Sequence, residues 1–160
     1  MIPKIITVKQ AALLVENNKT LCIGGGGAGH AVPDKLLEAL GARFKETASP
    51  GNLTILHACG IGENNRRGLN HLAHEGLVDT VIGGFWGNAP KMGKLALENK
   101  IKGYNFPQGV LAQLLRATAE GEKFLLKKTG LNTFVDPRYE GGKVNSNTLN
   151  DLSTSTVKST

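Results

Sequence analysis

The sequence has 160 residues, 40% hydrophobic and 20% charged, the composition of one soluble globular domain whose folding buries roughly 70% of its extended surface. Two cysteines are too few for a disulfide framework, no apolar run approaches the roughly 20 residues of a membrane span, and the start "MIPKIITVKQ" lacks a signal-peptide core, so a reduced cytoplasmic setting with no membrane partner is expected. A net charge of +6 is scattered along the chain and aromatics make up only 5%, which argues against a nucleic-acid surface and for a phosphate-bearing small ligand or an acidic partner.

In chain order, "ITVKQAALLV" carries Thr7 and Gln10 at capping-box spacing ahead of Ala11, Leu14 and Val15, which predicts a short amphipathic helix. "TLCIG" (Thr20 to Gly24) reads as a brief buried strand. "PDKLLEALGARF" predicts a helix with Pro33 in its first turn and Leu36, Leu37, Leu40 and Phe44 on one face. The unit then repeats as strand "LTILHA" with helix "RGLNHLAHEG", strand "DTVIGG" with helix "PKMGKLALENK", and strand "KGYNF" with helix "QGVLAQLLRATAEG". Strands alternating with helices predict an α/β fold, an open parallel sheet with helices on both faces.

Each predicted strand ends in a turn-rich loop: "GGGGAGH", "HACGIGENN", "GGFWGN" and "FPQG". Ligands of open α/β sheets bind outside the carboxyl ends of the strands, so these loops compose one expected site. Beyond Gly130 the pattern fades into irregular structure. Eight of the last 15 residues are Ser or Thr, and residues 146–160 are expected to form a disordered tail after a domain spanning 1–145.

Gly24, Gly26 and Gly29 fit G-x-G-x-x-G, the dinucleotide fingerprint. That reading needs an acidic residue about 20 positions on, at the end of the second strand. The strand ends "LHACG", Glu46 comes too early and Glu63 too late, and the helix starts only at Pro33. The glycines are better read as bringing backbone N–H groups close to an anion or a developing oxyanion. His57, Cys59, His71 and His74 invite a metal site, His71 and His74 being three apart on one predicted helix, but His57 is at a strand end and that helix packs on a sheet face through Leu69, Leu72 and Ala73, so no metal is expected. Glu63, the one loop carboxylate at the sheet edge, has Arg66 and Arg67 beside it to keep it ionised on a solvated turn. Trp86 is expected in a pocket wall.

Three long stretches, "RRGLNHLAHEGL", "IGGFWGNAPKMGKLALENKIKGYNFPQGV" and "GLNTFVDPRYEGGKVN", closely resemble the N-terminal part of family I CoA-transferases of the acetate and propionate type. The likeness runs from about Lys4 to Asn145. It implies transfer of CoA between a short-chain acyl-CoA and a free carboxylate by a ping-pong route, with coenzyme A as a substrate and no prosthetic group. In that family a glutamate of the second domain forms acyl anhydride and then glutamyl-CoA thioester intermediates. This chain is expected to stop within the first domain, so no catalytic nucleophile is expected in it. The missing C-terminal half would act in cis or in trans, and a homo-oligomer is expected. The rival expectation is an inactive truncated module that associates with a full-length CoA-transferase.

Residue by residue, the family's first glycine loop matches Gly26 and Gly29 with Pro33, while Gly27 stands where an aromatic residue is usual. The loop after the second strand matches at His57, Ala58 and Gly60, which line the carboxylate and thioester pocket in the family. The "PQG" turn maps onto Pro107, Gln108 and Gly109, with Gln108 offering an amide donor toward the reacting carbonyl. Finally, a sheet lacking its last strands is expected to expose an unpaired edge and to self-associate.

Overall fold

The computed structural model describes residues 5–26 and 30–155. Helix α1 (Val8–Leu13) begins where Thr7 and Gln10 cap each other. The Gln10 N–H donates to the Thr7 hydroxyl at 3.2 Å, and the Thr7 N–H donates to the Gln10 side chain at 2.8 Å. There follow β1 (Thr20–Cys22), α2 (Asp34–Thr47), β2 (Leu53–His57), a hairpin of β3 (Gly62–Glu63) and β4 (Arg67–Gly68), β5 (Val78–Gly83), α3 (Pro90–Leu97), β6 (Lys102–Asn105) and α4 (Gln108–Ala119).

The main sheet runs β1-β2-β5-β6 with every neighbour parallel, as the strand-helix alternation predicts. Strand parity divides its faces. Leu53, Ile55 and His57 are buried on one side of β2, where Leu53 and Ile55 meet Leu37 and Leu40 of α2 and Met92 and Ala96 of α3. Leu56 and Ile82 turn to the other side, toward Leu111 and Leu114 of α4. Helices therefore cover both faces.

Arg43 fastens α1 to α2. Its Nη1 donates to the carbonyls of Ala12 at 2.7 Å and Val15 at 2.8 Å, the end of α1 that has no other capping side chain. Hydrogen bonds from a charged group contribute more than neutral ones. Arg43→Ala is expected to lower unfolding stability by about 2 kcal/mol, read as a shift of the urea midpoint; an unchanged midpoint would show that α1 docks without this tie.

Three expectations differ from what the chain adopts. "RGLNHLAHEG" is not an α-helix but the second strand of the hairpin followed by a 3₁₀ turn, Leu69–Leu72. The cause is Asn70, whose side chain is drawn inward to donate to the Asn64 carbonyl at 2.7 Å and the Arg67 carbonyl at 2.9 Å. Its amide oxygen accepts from the Lys91 N–H at 3.1 Å.

The stretch 146–155 does not trail away as a free tail. Thr148 is buried and accepts from the Gly103 N–H at 2.7 Å, while the Tyr104 hydroxyl donates to the Asn150 carbonyl at 2.8 Å. Residues 156–160 lie outside the described residues. These same contacts cover the outer edge of β6, so the unpaired edge expected of the sheet does not lie there. The Val144 N–H donates to the Gly103 carbonyl at 2.9 Å, and the Asn105 N–H to the Gly142 carbonyl at 2.8 Å. At the opposite margin Thr20 and Cys22 of β1 are exposed.

Candidate functional site

The loops leaving β1, β2, β5 and β6 meet at the carboxyl edge of the sheet. Gly26 faces Cys59, so that a Cβ on it would stand 3.3 Å from the Cys59 Cβ. Gly60 lies against Phe85 and Asn88 of the loop after β5. Gly84 is the point of closest convergence: a Cβ there would stand 2.1 Å from the Ala58 carbonyl oxygen and 2.8 Å from Gln108 Cγ. Only a residue without a side chain lets these three segments approach one another.

Gln108 opens α4 behind Pro107, which offers no side-chain cap. Its exposed carboxamide and the backbone N–H groups of Gln108 and Gly109 lie in the first turn, where helical N–H groups have no intrahelical acceptor. The positive end of the helix dipole favours an anion or a developing oxyanion at this place. Gly26, Ala58, Gly60, Gln108 and Gly109 are thus held at one edge. Gly27 and Gly29, also expected in the site, lie outside the described residues.

His57 is placed differently from the other residues of its loop. Its ring is fully buried at 0% exposure, on the α2 and α3 side of the sheet. Nδ1 lies 2.8 Å from the Cys59 carbonyl, so the proton sits on Nδ1 and is donated to that oxygen. Nε2 has no hydrogen-bond partner among the described residues and faces Gly83, where a Cβ would stand 2.4 Å away. Trp86 meets the imidazole edge-on at 6.5 Å between ring centroids. Burial pushes the His57 pKa below its ordinary 6.5, against the opposing pull of the Cys59 carbonyl. The ring shapes the Ala58–Gly60 turn from beneath and does not reach the open edge.

Among the described residues the other histidines and loop carboxylates are spread over separate pairs. His71 binds Asp34 at 3.1 Å, and His74 stacks on Phe44. Glu63 is exposed and pairs with Arg67 at 3.5 Å. Burial raises the Asp34 pKa, but the Gly68 N–H, His71 and Arg67 outweigh it and leave the carboxyl below its ordinary value.

Several residues that position the site gave no sequence signal of their own. Asn70 bridges the hairpin and the start of α3. Asp136 accepts from the Asn132 N–H at 2.8 Å and from Arg138, whose guanidinium holds the carboxyl far below the usual carboxylate range. The pair fixes the loop that carries Phe134. Trp86 does stand in a wall, its indole N–H donating to the Tyr104 carbonyl at 3.3 Å. A groove of about 430 Å³ opens beside it, and Gly84 borders that groove as well as Gln108.

Comparison with known proteins identifies the family and the fold. The chain is 41% identical to the acetate CoA-transferase YdiF of Escherichia coli K12 over 148 residues, 92% of this chain and 28% of the relative. It is 38% identical to the caffeate CoA-transferase of Acetobacterium woodii over 149 residues, 93% of this chain and 28% of that protein. The crystal structure of acyl-CoA transferase YdiF from E. coli O157:H7, a thioester complex with CoA, superposes with a TM-score of 0.89 at 41% identity, covering 92% of this chain and 30% of that one. The chain therefore spans under a third of the length of these relatives. Residues 5–156 match the coenzyme A transferase family along nearly the whole chain, and with the parallel sheet and the converging glycine loops this establishes that the chain belongs to that family.

Proposed function

We propose that this chain forms the substrate-facing portion of an enzyme that moves CoA between a short-chain acyl-CoA and a free carboxylate. The observation that carries the proposal is the meeting of Gly26, the Ala58–Gly60 turn and Gln108 at one sheet edge, in a chain that belongs to the coenzyme A transferase family. In this reading a glutamate outside this chain attacks the acyl-CoA carbonyl. The resulting anhydride accepts CoA thiolate on the glutamyl carbon and releases the first carboxylate. The second carboxylate then reverses the sequence. The thioester complex with CoA recorded for YdiF supports such a route.

Each attack passes through a tetrahedral oxyanion. The Gln108 carboxamide and the free N–H groups of the α4 first turn are the donors this chain contributes to it. The backbone at Gly26 and Gly60 leaves room for a thioester to lie close to the sheet edge. His57 takes no proton in this scheme, because its ring is buried and its acceptor nitrogen faces Gly83.

The test is an exchange assay with acetyl-CoA and propionate. The chain alone is expected to form no propionyl-CoA. Mixed with the C-terminal portion of a relative such as YdiF, it is expected to restore exchange, with the CoA adduct trapped on that portion. In the mixture Gln108→Ala is expected to reduce turnover by about 100-fold, the usual cost of one oxyanion donor. Turnover by the chain alone that disappears in Glu63→Ala would overturn the assignment of the nucleophile.

A further inference from the structure

The groove beside the loop confluence has chemistry that a short-chain acid does not use. Its walls are Phe85, Trp86, Phe134 and Val144, and Asn105 and Lys143 supply polar groups. We propose that this groove binds the acyl portion of a carboxylate bearing a neutral aryl group, with the carboxyl end directed to Gly84 and Gln108. The inference rests on the CoA-transfer reading above and extends it beyond short-chain acids.

Four observations carry it. First, the volume of about 430 Å³ lies within the range of small-molecule sites of roughly 300 to 1,000 Å³, far more than a two-carbon or three-carbon acyl group fills. Second, Phe85 and Phe134 are 46% and 42% exposed, although both border a concavity. Aromatic surface left uncovered in a concave place is surface available to an apolar ligand.

Third, two of the walls, Trp86 and the loop that carries Phe134, are tied by hydrogen bonds. The Trp86 N–H is already committed to the Tyr104 carbonyl, so its indole presents carbon to the groove. Phe134 precedes buried Val135 in the loop that Asp136 holds to Asn132 and Arg138. A wall held this way loses little conformational entropy on binding.

Fourth, the polar groups favour a neutral ring over a second carboxylate. Lys143 is already paired with Asp151, and Glu140 borders the same groove, so among the described residues lining it an anionic tail meets no unpaired cation. The Asn105 backbone N–H is bonded to the Gly142 carbonyl. Its carboxamide makes no hydrogen bond among the described residues, which leaves it open to a ring hydroxyl.

The experiment titrates the chain with 3-phenylpropanoate, 3-(4-hydroxyphenyl)propanoate, propanoate and, separately, coenzyme A. Binding is followed by calorimetry and by the emission of Trp86, the single tryptophan. The aryl acids are expected to bind at least ten-fold more tightly than propanoate and to alter Trp86 emission. Phe134→Ala is expected to weaken the aryl acids at least five-fold while leaving propanoate unchanged. Phe85→Ala repeats the test if Phe134→Ala melts early.

Equal affinity for the aryl acids and propanoate in the wild-type chain overturns the proposal, as does an aryl affinity that neither variant changes. Coenzyme A binding without aryl preference removes the groove assignment alone. Aryl binding with no binding of coenzyme A instead removes the CoA-transfer reading and leaves the groove an aryl site.

Discussion

Gly84→Ala is expected to be among the most damaging single-methyl changes in this chain, lowering unfolding stability by about 3 kcal/mol, the upper end of what overpacking costs. The added Cβ would stand 2.1 Å from the Ala58 carbonyl oxygen, a backbone atom that cannot swing aside, and 3.1 Å from the Gln108 Cα. The loop after β5 must therefore move away from β2 and α4 together. Turnover in the reconstituted enzyme should fall even where the protein remains folded, because the displaced group is the one proposed to stabilise the oxyanion. Gly93→Ala is the matched control. Gly93 lies inside α3 with nothing within 4 Å of its Cβ position, so the change should stabilise by roughly 0.5 to 1 kcal/mol through helix propensity. Urea denaturation of the two variants should separate in opposite directions; similar midpoints would show that the packing at Gly84 is loose.

The second large effect is a loss of stability on mild acidification. His57 resists protonation in the folded state because its ring is buried and Nε2 has no acceptor to meet an added proton. His74 is shifted down as well, first by burial and then by Lys45 and Lys91. Unfolded, both bind a proton near their ordinary pKa of 6.5. Below that value the unfolded chain holds more protons than the folded one, so stability falls with pH until the folded pKa is reached. Each histidine can contribute a slope of at most about 1.4 kcal/mol per pH unit in that interval. Asp34 and Asp136 are both held below the ordinary carboxylate value. Their contributions are lost only at more acidic pH and do not mask the histidine effect. Urea midpoints between pH 7 and pH 5 should decline in the wild-type chain and decline less steeply in His57→Leu. A flat wild-type profile would contradict the buried neutral ring.

Elements whose residues answer to their own neighbours in sequence were legible before the fold. Thr7 with Gln10 marked the start of α1, the apolar spacing of Leu37 and Leu40 marked the inner face of α2, and the glycines at the strand ends marked the loops that meet at the carboxyl edge. What could not be read depended on partners far along the chain. Asn70 sits in "LNHL", a helical pattern, yet its amide is held by carbonyls of the preceding loop and by the N–H of Lys91, which override local propensity. Thr148 belongs to a polar stretch whose composition suggests solvation, but its hydroxyl accepts from the N–H that Gly103 turns outward from β6. The orientation of His57 was recoverable from parity, since it stands two residues after Ile55 on the same side of β2.

The cover over β6 gives the sheet a direction of growth. With Gly103 and Asn105 already bonded to Gly142, Val144 and Thr148, a strand joining by backbone pairing finds its vacant places at Thr20 and Cys22 of β1. Such a strand would enclose the Gly24–Gly26 turn, converting it from a rim into the floor of a crevice between neighbouring strands. The polar segment 142–148 thus closes one margin of the sheet to further backbone pairing, and among the described residues the margin at β1 is the one left open to it.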